Sequence, residues 1–342
     1  MLESYINLLK SKTDLTQDQS YDCLSKIFTG EAAQPEIESL LILFREKSES
    51  VSEIVGFATA MREKMLTVTL PRPAIDLCGT GGMLQDRFNV STAAAFVLGA
   101  IGIPTAKHGN RGSRKPNGSF DFLEALAIPF ELSIEKIQEI FDKTEICFLF
   151  ARQFHKAMGA VAQARKSVGG RTIFNLLGPL CNPAKVKRQI IGVVNEQIAV
   201  KLAEACRQLG TDRTLVIAGA EGMDELNLEG VSIVFDVTAD TIKRFEFNPL
   251  AAGLYSAGSS SIPIGDAKQN AALFIDLFSN ARKDHNISRL IALNCGAAAY
   301  CWGNTSSIEQ GAGLAAEAIG SGAAWDKFVQ YRSLAQKEAR QS

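Results

Sequence analysis

Two glycine-bearing stretches carry the residue types that hold phosphate: Asp76-Leu77-Cys78-Gly79-Thr80-Gly81-Gly82, and the run from Lys107 to Asp121, KHGNRGSRKPNGSFD. Gly79, Gly81 and Gly82 place no side chain between backbone N–H groups and a ligand, so the turn can form a nest for an anion. Downstream, Asn89-Val90-Ser91-Thr92 leads into the helix-forming run Ala93 to Ala100, with Ser91 or Thr92 as the expected N-cap. A helix start offers unpaired N–H donors and a positive dipole end to an anion. Taken singly, each piece reads equally well as a surface turn and an ordinary cap. The spacing matches neither of two widespread phosphate loops, since the third glycine of the dinucleotide fingerprint and the Gly-Lys-Ser/Thr of a P-loop are both missing.

A second set of residues can supply charge. Lys107, His108, Asn110 and Arg111 follow a strand end and group positive charge with an amide. Asp224 and Glu225 follow another strand, and adjacent carboxylates on a loop suit a magnesium ion shared with phosphate oxygens and water. The same pair also fits a solvated acidic turn. His155 and Arg165 fall on one expected helix, Arg152 to Arg165, where Arg165 can hold a carboxylate in a bidentate fork or remain a surface arginine. His155 reads first as a structural histidine. No nucleophile with an adjacent base is evident, and three histidines in the whole chain argue against a histidine metal cluster.

The elements that must position these groups divide near residue 70. Before it the pattern is helical: Leu2, Tyr5, Ile6 and Leu9 share a face, Thr16 with Gln19 forms an expected capping box, Pro35 opens a third helix, and Ser50 with Glu53 opens a fourth. From Pro71 onward short β-rich runs alternate with helical stretches, at Ala74 to Cys78, Pro104 to Lys107, Ile146 to Phe150, Ile190 to Val194, Thr214 to Ala218 and Ser232 to Val237. Such alternation predicts crossover connections and a mainly parallel sheet, with ligands beyond the carboxyl ends of the strands. The expected fold class is α/β, with a small all-helical domain and a large α/β domain around the sheet.

Composition narrows the function. A chain of 342 residues with net charge −1 gives no bulk attraction to nucleic acid or membrane. The N-terminus lacks a basic start with a long apolar run, and no stretch reaches membrane-spanning length, so the expected location is the cytoplasm. Seven scattered cysteines in mostly apolar surroundings read as reduced core residues.

Taken in order, Asp76 to Gly82, Asn89 to Thr92, Lys107 to Arg111, Gly118-Ser119, Asp121, Leu123 to Leu126, Arg171 to Leu180 with Asn182-Pro183, and Gly222 to Glu225 closely resemble the anthranilate phosphoribosyltransferase family. The resemblance spans nearly the whole chain. It implies a nucleoside phosphorylase/phosphoribosyltransferase C-type fold, with a small helical domain of residues 1–70 joined by helices near 152–188, a large α/β domain of 71–342, a hinge between them, and a homodimer. It implies transfer of a phosphoribosyl group from phosphoribosyl pyrophosphate (PRPP) to the amine of anthranilate, with Mg2+ as cofactor. By position, Gly79, Gly82, Asn89, Ser91, Thr92, Lys107 and Ser119 would hold PRPP. Ser91, Asp224 and Glu225 would hold the metal, with Lys107, Asp224 and Glu225 serving catalysis. Gly79, His108, Asn110, His155 and Arg165 would border anthranilate.

Some positions depart from the family pattern. Met83 stands where an acid is usual, Arg87 where a small hydroxyl residue is usual, and Arg114-Lys115 in place of a serine pair. These changes add positive charge around the expected phosphate site. Besides the active transferase, three readings stay open: a paralogue using another aromatic amine or donor, a pyrimidine nucleoside phosphorylase, and a non-catalytic nucleic-acid-binding paralogue. The last fits poorly with a net charge of −1 and no aromatic residues among the basic ones.

Overall fold

A computed structural model describes residues 1–81, 88–112, 115–250, 253 and 265–340. Gly82, Met83, Arg87 and Arg114 lie outside the described residues.

Four helices open the chain: α1 (Glu3–Lys10), α2 (Gln17–Phe28), α3 (Gln34–Lys47) and α4 (Val51–Lys64). Capping boxes start α2 and α4, where the Thr16 and Ser50 hydroxyls accept from the backbone N–H groups of Gln19 and Glu53. Strands and helices then alternate: β1 (Ile75–Gly79), α5 (Val90–Ala100), β2 (Thr105–Gly109), α6 (Ser119–Ala125), α7 (Ile134–Thr144) and β3 (Ile146–Phe150). A helical stretch follows, with α8 (Ala151–Phe154), α9 (Gly159–Val168) and α10 (Phe174–Leu177). After β4 (Arg188–Val193), α11 (Glu196–Gln208), β5 (Arg213–Ala218), β6 (Ser232–Thr238) and β7 (Ile242–Phe247) come α12 (Ala267–Ser279), α13 (Asn286–Trp302), α14 (Ile308–Gly320) and α15 (Ala323–Arg340).

The seven strands form one sheet in the order β3-β2-β1-β4-β5-β6-β7. The first five are parallel, and β6 and β7 add an antiparallel edge. The chain winds outward one way from β1 through β2 and β3, and the other way from β4, so the direction reverses between β1 and β4. Ligands of open α/β sheets bind at such a reversal, beyond the strand carboxyl ends.

Alternating side chains feed two separate cores, one on each face of the sheet. Leu215 and Ile217 enter a core with α5, α12, α13 and α15, while Val216 and Ala218 enter another with α1 to α4, α9, α10 and α11. The opening helices therefore share their apolar interior with one face of the sheet.

Several details differ from the sequence reading. The edge strand β7 adds to the expected strands; its sequence, Ile-Lys-Arg-Phe-Glu-Phe, carries charge on its exposed positions and little apolar run. The expected helix Arg152 to Arg165 is broken. His155 lies between α8 and a 3-10 turn at Lys156–Met158, so it and Arg165 stand on different elements. The N-cap of α5 is Asn89 rather than Ser91 or Thr92, and it caps without a side-chain bond because other loops already engage its amide.

Candidate active site

The site is built from the strand ends at the reversal. Gly79 of β1 and Gly192 of β4 are direct partners in the parallel ladder. The loop carrying Asp224 and Glu225 lies across them at very short range. A methyl group on Gly79 would stand 2.2 Å from Asp224 Oδ2, and one on Gly192 would stand 1.6 Å from the Asp224 carbonyl oxygen. On Gly219, just past β5, a methyl would reach within 2.1 Å of the Glu225 carbonyl oxygen. Three bare positions thus form a floor on which the acidic loop rests, and Asp224 is buried directly against the Gly79 turn. Gly192 and Gly219 lie outside the glycine turn that marks Gly79 in the sequence. An isolated glycine inside a strand is itself a signal of close backbone approach.

Gly192→Ala is expected to displace the Asp224 loop, because the obstructing atom is backbone and cannot rotate away. Stability should fall by about 1–3 kcal/mol, as for other overpacked interiors. Gly313→Ala, where the new methyl meets open space on α14, should be neutral or slightly stabilising. Equal melting temperatures for the two variants would contradict the tight floor.

Around the floor the expected residues divide. Ser91 lies in the first turn of α5, half-buried, and Thr92 beside it is fully buried. The Thr92 and Thr80 hydroxyls are buried with no hydrogen-bond partner among the described residues. Thr80 was not among the expected site residues, although it sits inside the glycine turn. Ser119 opens α6, and its Oγ faces the backbone of Gly109 at the end of β2. Asn110 is exposed at the same strand end, its Oδ1 accepting from the Arg111 N–H.

The positive cluster expected at Lys107 to Arg111 is dispersed. The strand runs to Gly109, so Lys107 is an interior strand position, 1% exposed, and its Nζ donates to the Leu77 carbonyl at 2.8 Å. Arg111 turns outward, where its Nη1 and Nη2 donate to both oxygens of Glu124 and Nη1 also reaches Asp121 at 3.0 Å. Its guanidinium stands over the Phe130 ring. Neither cation is left uncompensated at the rim.

Asp76 emerges as a buried organiser that the sequence reading cited only within its motif. Its Oδ1 accepts from the His108 N–H at 3.1 Å and its Oδ2 from Asn182 Nδ2 at 2.8 Å, while Asn182 also donates to the Ala106 carbonyl. One carboxylate thus ties β1, β2 and the segment after α10 together. Burial pushes the Asp76 carboxyl up to about 6, against the opposing pull of the nearby Lys107 ammonium.

The two histidines meet ring to ring, His155 Nε2 lying 3.1 Å from His108 Nε2. The Gly178 carbonyl, 3.1 Å from His108 Nδ1, can only accept. This assigns the proton to His108 Nδ1, so that His108 Nε2 accepts from His155 Nε2. Burial pushes His108 down to about 3, with the neighbouring His155 adding to the effect, and pushes His155 down to about 4. The pair is a neutral bolt between the end of β2 and the broken helical stretch.

A pH dependence follows. Both folded-state values lie below the ordinary imidazole value, so the stability tied to neutral histidine is fully present above about pH 6.5 and is lost as pH falls toward 3–4. Asp76 opposes this: its value is raised, so its contribution is present below about pH 4 and is lost as pH rises through about 6. His155→Gln removes one of the two imidazole titrations. The slope of unfolding free energy between pH 6 and 4.5 should therefore fall by up to about 1.4 kcal/mol per pH unit. Urea melts across that range check it, and an unchanged slope would sink the assignment.

Arg165 on α9 stands apart in character. It is half-buried, its guanidinium forms no ion pair or hydrogen bond among the described residues, and it stacks over the Phe174 ring at 5.5 Å. Burial without an anion holds its guanidinium below the ordinary arginine value. A desolvated, always-charged fork without a carboxylate is suited to receive one.

The metal donors expected from the sequence, the Ser91 hydroxyl and the carboxylates of Asp224 and Glu225, are all oxygen. No group of three or more His, Cys, Asp or Glu side chains capable of holding an ion occurs among the described residues. An all-oxygen set short of a full cage fits magnesium, which takes its remaining ligands from water and substrate phosphate.

This fold and glycine floor define a two-part glycosyltransferase. Residues 71–325 match the family described as glycosyl transferase family, a/b domain, and residues 3–65 match its helical bundle domain. The chain belongs to the anthranilate phosphoribosyltransferase family. It is 38% identical over 333 residues to the anthranilate phosphoribosyltransferase of Geobacillus kaustophilus, covering 97% of this chain and 98% of that one. The corresponding protein of Parvibaculum lavamentivorans is 42% identical over 301 residues, 87% of each chain. Among solved structures, the anthranilate phosphoribosyltransferase of Thermus thermophilus aligns with TM-score 0.89 at 35% identity, covering 97% of this chain and 99% of that chain. The Saccharomyces cerevisiae enzyme in complex with PRPP and Mg aligns with TM-score 0.88 at 26% identity, over 98% of both chains.

Proposed function

We propose that this protein transfers the phosphoribosyl group of PRPP to the amine of anthranilate, releasing pyrophosphate, as a step of tryptophan biosynthesis. The observation that carries the proposal is the placement of Asp224 against the bare Gly79 turn at the reversal of the sheet. That position is where a phosphorylated sugar would lie.

In this reading the Gly79 turn, the first turn of α5 with Ser91 and Thr92, and Ser119 bind PRPP, together with Gly82. Asn89 acts through its backbone, since its amide already engages Asn117 and Asn270. Lys107 lies beneath the turn as a buried positive charge and reaches a phosphate only by leaving the Leu77 carbonyl. Ser91, Asp224 and Glu225 would hold Mg2+, which when bound supplies positive charge that neutralises the pyrophosphate. These residues thus bind and orient the donor.

Arg165 takes the anthranilate carboxylate and Asn110 borders the acceptor. His108 and His155, neutral and bonded to each other, shape the acceptor path rather than donate to it. The amine lone pair forms the new C–N bond at the anomeric carbon as the C–O bond breaks, and the electron pair leaves with pyrophosphate. The nitrogen then gives up its extra proton to solvent water. An aromatic amine is neutral near pH 7, so positioning and exclusion of water outweigh a strong base. Closure of the helical part, residues 1–70 with helices near 152–188, onto the part from 71 would bring α9 toward the donor.

We propose further that the protein works as a homodimer in the cytoplasm. No described helix is long and apolar enough to cross a membrane. Light scattering at two concentrations tests the dimer. The activity is tested by following loss of anthranilate fluorescence with PRPP and Mg2+. Turnover that requires all three is expected, and none under any magnesium concentration would overturn the proposal.

A further inference from the structure

Three asparagines from distant parts of the chain meet beside the proposed donor site. Asn270 of α12 is 1% exposed, and its Nδ2 donates to Asn89 Oδ1 at 3.3 Å and to Asn117 Oδ1 at 3.1 Å. Asn89 Nδ2 in turn donates to the Asn117 carbonyl at 3.2 Å, and Asn117 Nδ2 donates to the Gly265 carbonyl at 3.2 Å, next to the Asp266 cap of α12. A single amide, with two donors in fixed planar geometry, therefore spans two loops. One loop starts α5, with Ser91 and Thr92. The other starts α6, with Ser119.

The amide is held on a rigid support. One turn along α12, Phe274 is fully buried, with its ring centroid 5.8 Å from Phe96 of α5 and 5.8 Å from Phe122 of α6. Phe88, beside Asn89, packs edge-on against Phe122 at 5.8 Å. Aromatic packing fixes where α12 sits relative to both helices, and Asn270 converts that position into a fixed separation between the two loops. A buried, satisfied polar network of this kind specifies geometry more than it adds stability.

We propose that Asn270 is a positioning residue for donor binding: it sets the spacing between the Asn89–Thr92 and Asn117–Ser119 loops, and so tunes affinity for PRPP without touching it. The proposal rests on PRPP being the donor. It separates the two substrates, because Arg165 lies on α9, which packs into the other of the two cores from α5 and α12.

The test uses the full-length protein with Asn270→Asp, which keeps shape but replaces the donating NH2 with oxygen, and Asn270→Ser, which leaves the loops unbridged. Steady-state kinetics should show KM for PRPP raised roughly tenfold, the size of one lost hydrogen bond. KM for anthranilate should change by less than about twofold. Calorimetric titration with PRPP and Mg2+ should show the same loss without turnover, and Asn270→Gln, which retains a donating amide, should recover part of it. A purely structural role would lower the melting temperature and the active fraction while leaving both KM values in place, and that result overturns the inference. An equal rise in both KM values overturns it too. If the unaltered protein takes up no PRPP in the calorimeter, the donor assignment itself is wrong and this inference falls with it.

Discussion

Asp224→Asn should lower kcat by about 100-fold or more, the scale seen when one preorganised charge-stabilising group is removed from an active site. The exchange is isosteric, so the loop keeps its rest on Gly79 and Gly192 and the melting temperature should stay within a few degrees of the parent. What changes is charge, at the place where a magnesium-bound pyrophosphate would leave. The magnesium concentration for half-maximal rate should rise, and KM for anthranilate should hold. Parental turnover at the same magnesium concentration would remove Asp224 from the reaction.

Arg165→Ala should act on the other substrate. A charge-assisted bidentate bond to a carboxylate contributes about 2–3 kcal/mol, so the apparent affinity for anthranilate should fall about 30- to 150-fold. Apparent affinity for PRPP should remain near the parent value. Arg165→Lys should recover only part of the loss, because an ammonium cannot grip both carboxylate oxygens in a plane. Aniline, which lacks the carboxylate, should be a poor acceptor for both forms and should discriminate little between them. If the variant lost donor affinity instead, Arg165 would belong to the phosphate side of the cleft.

Locally encoded features are legible in the sequence. Thr16 with Gln19 and Ser50 with Glu53 bond only to their neighbours, so their capping boxes were legible directly. Strands β4 and β5 were legible because burial on both faces leaves mainly apolar runs, Ile190 to Val193 and Leu215 to Ala218. What escaped depends on partners distant in the chain. Lys107 read as a rim cation because nothing nearby shows that the Leu77 carbonyl, thirty residues earlier, receives it. Arg111 read as available charge, yet Glu124 consumes it one helix later. The break at His155 falls where its ring meets His108, a partner forty-seven residues earlier that the local helical pattern does not show. The close approach over Gly192 and Gly219 was written in a strand glycine and in one just past a strand end, but neither carried a label saying what would approach.

The continuity between the opening helices and one face of the sheet has a thermodynamic consequence. Leu24, Leu40, Phe44 and Phe57 pack into the same apolar cluster as Val193, Val216 and Phe235. A fragment ending at residue 65 would be stripped of the partners that bury one side of it, and would have to expose that side to water. The bundle and the sheet should therefore melt together, in a single cooperative transition by calorimetry.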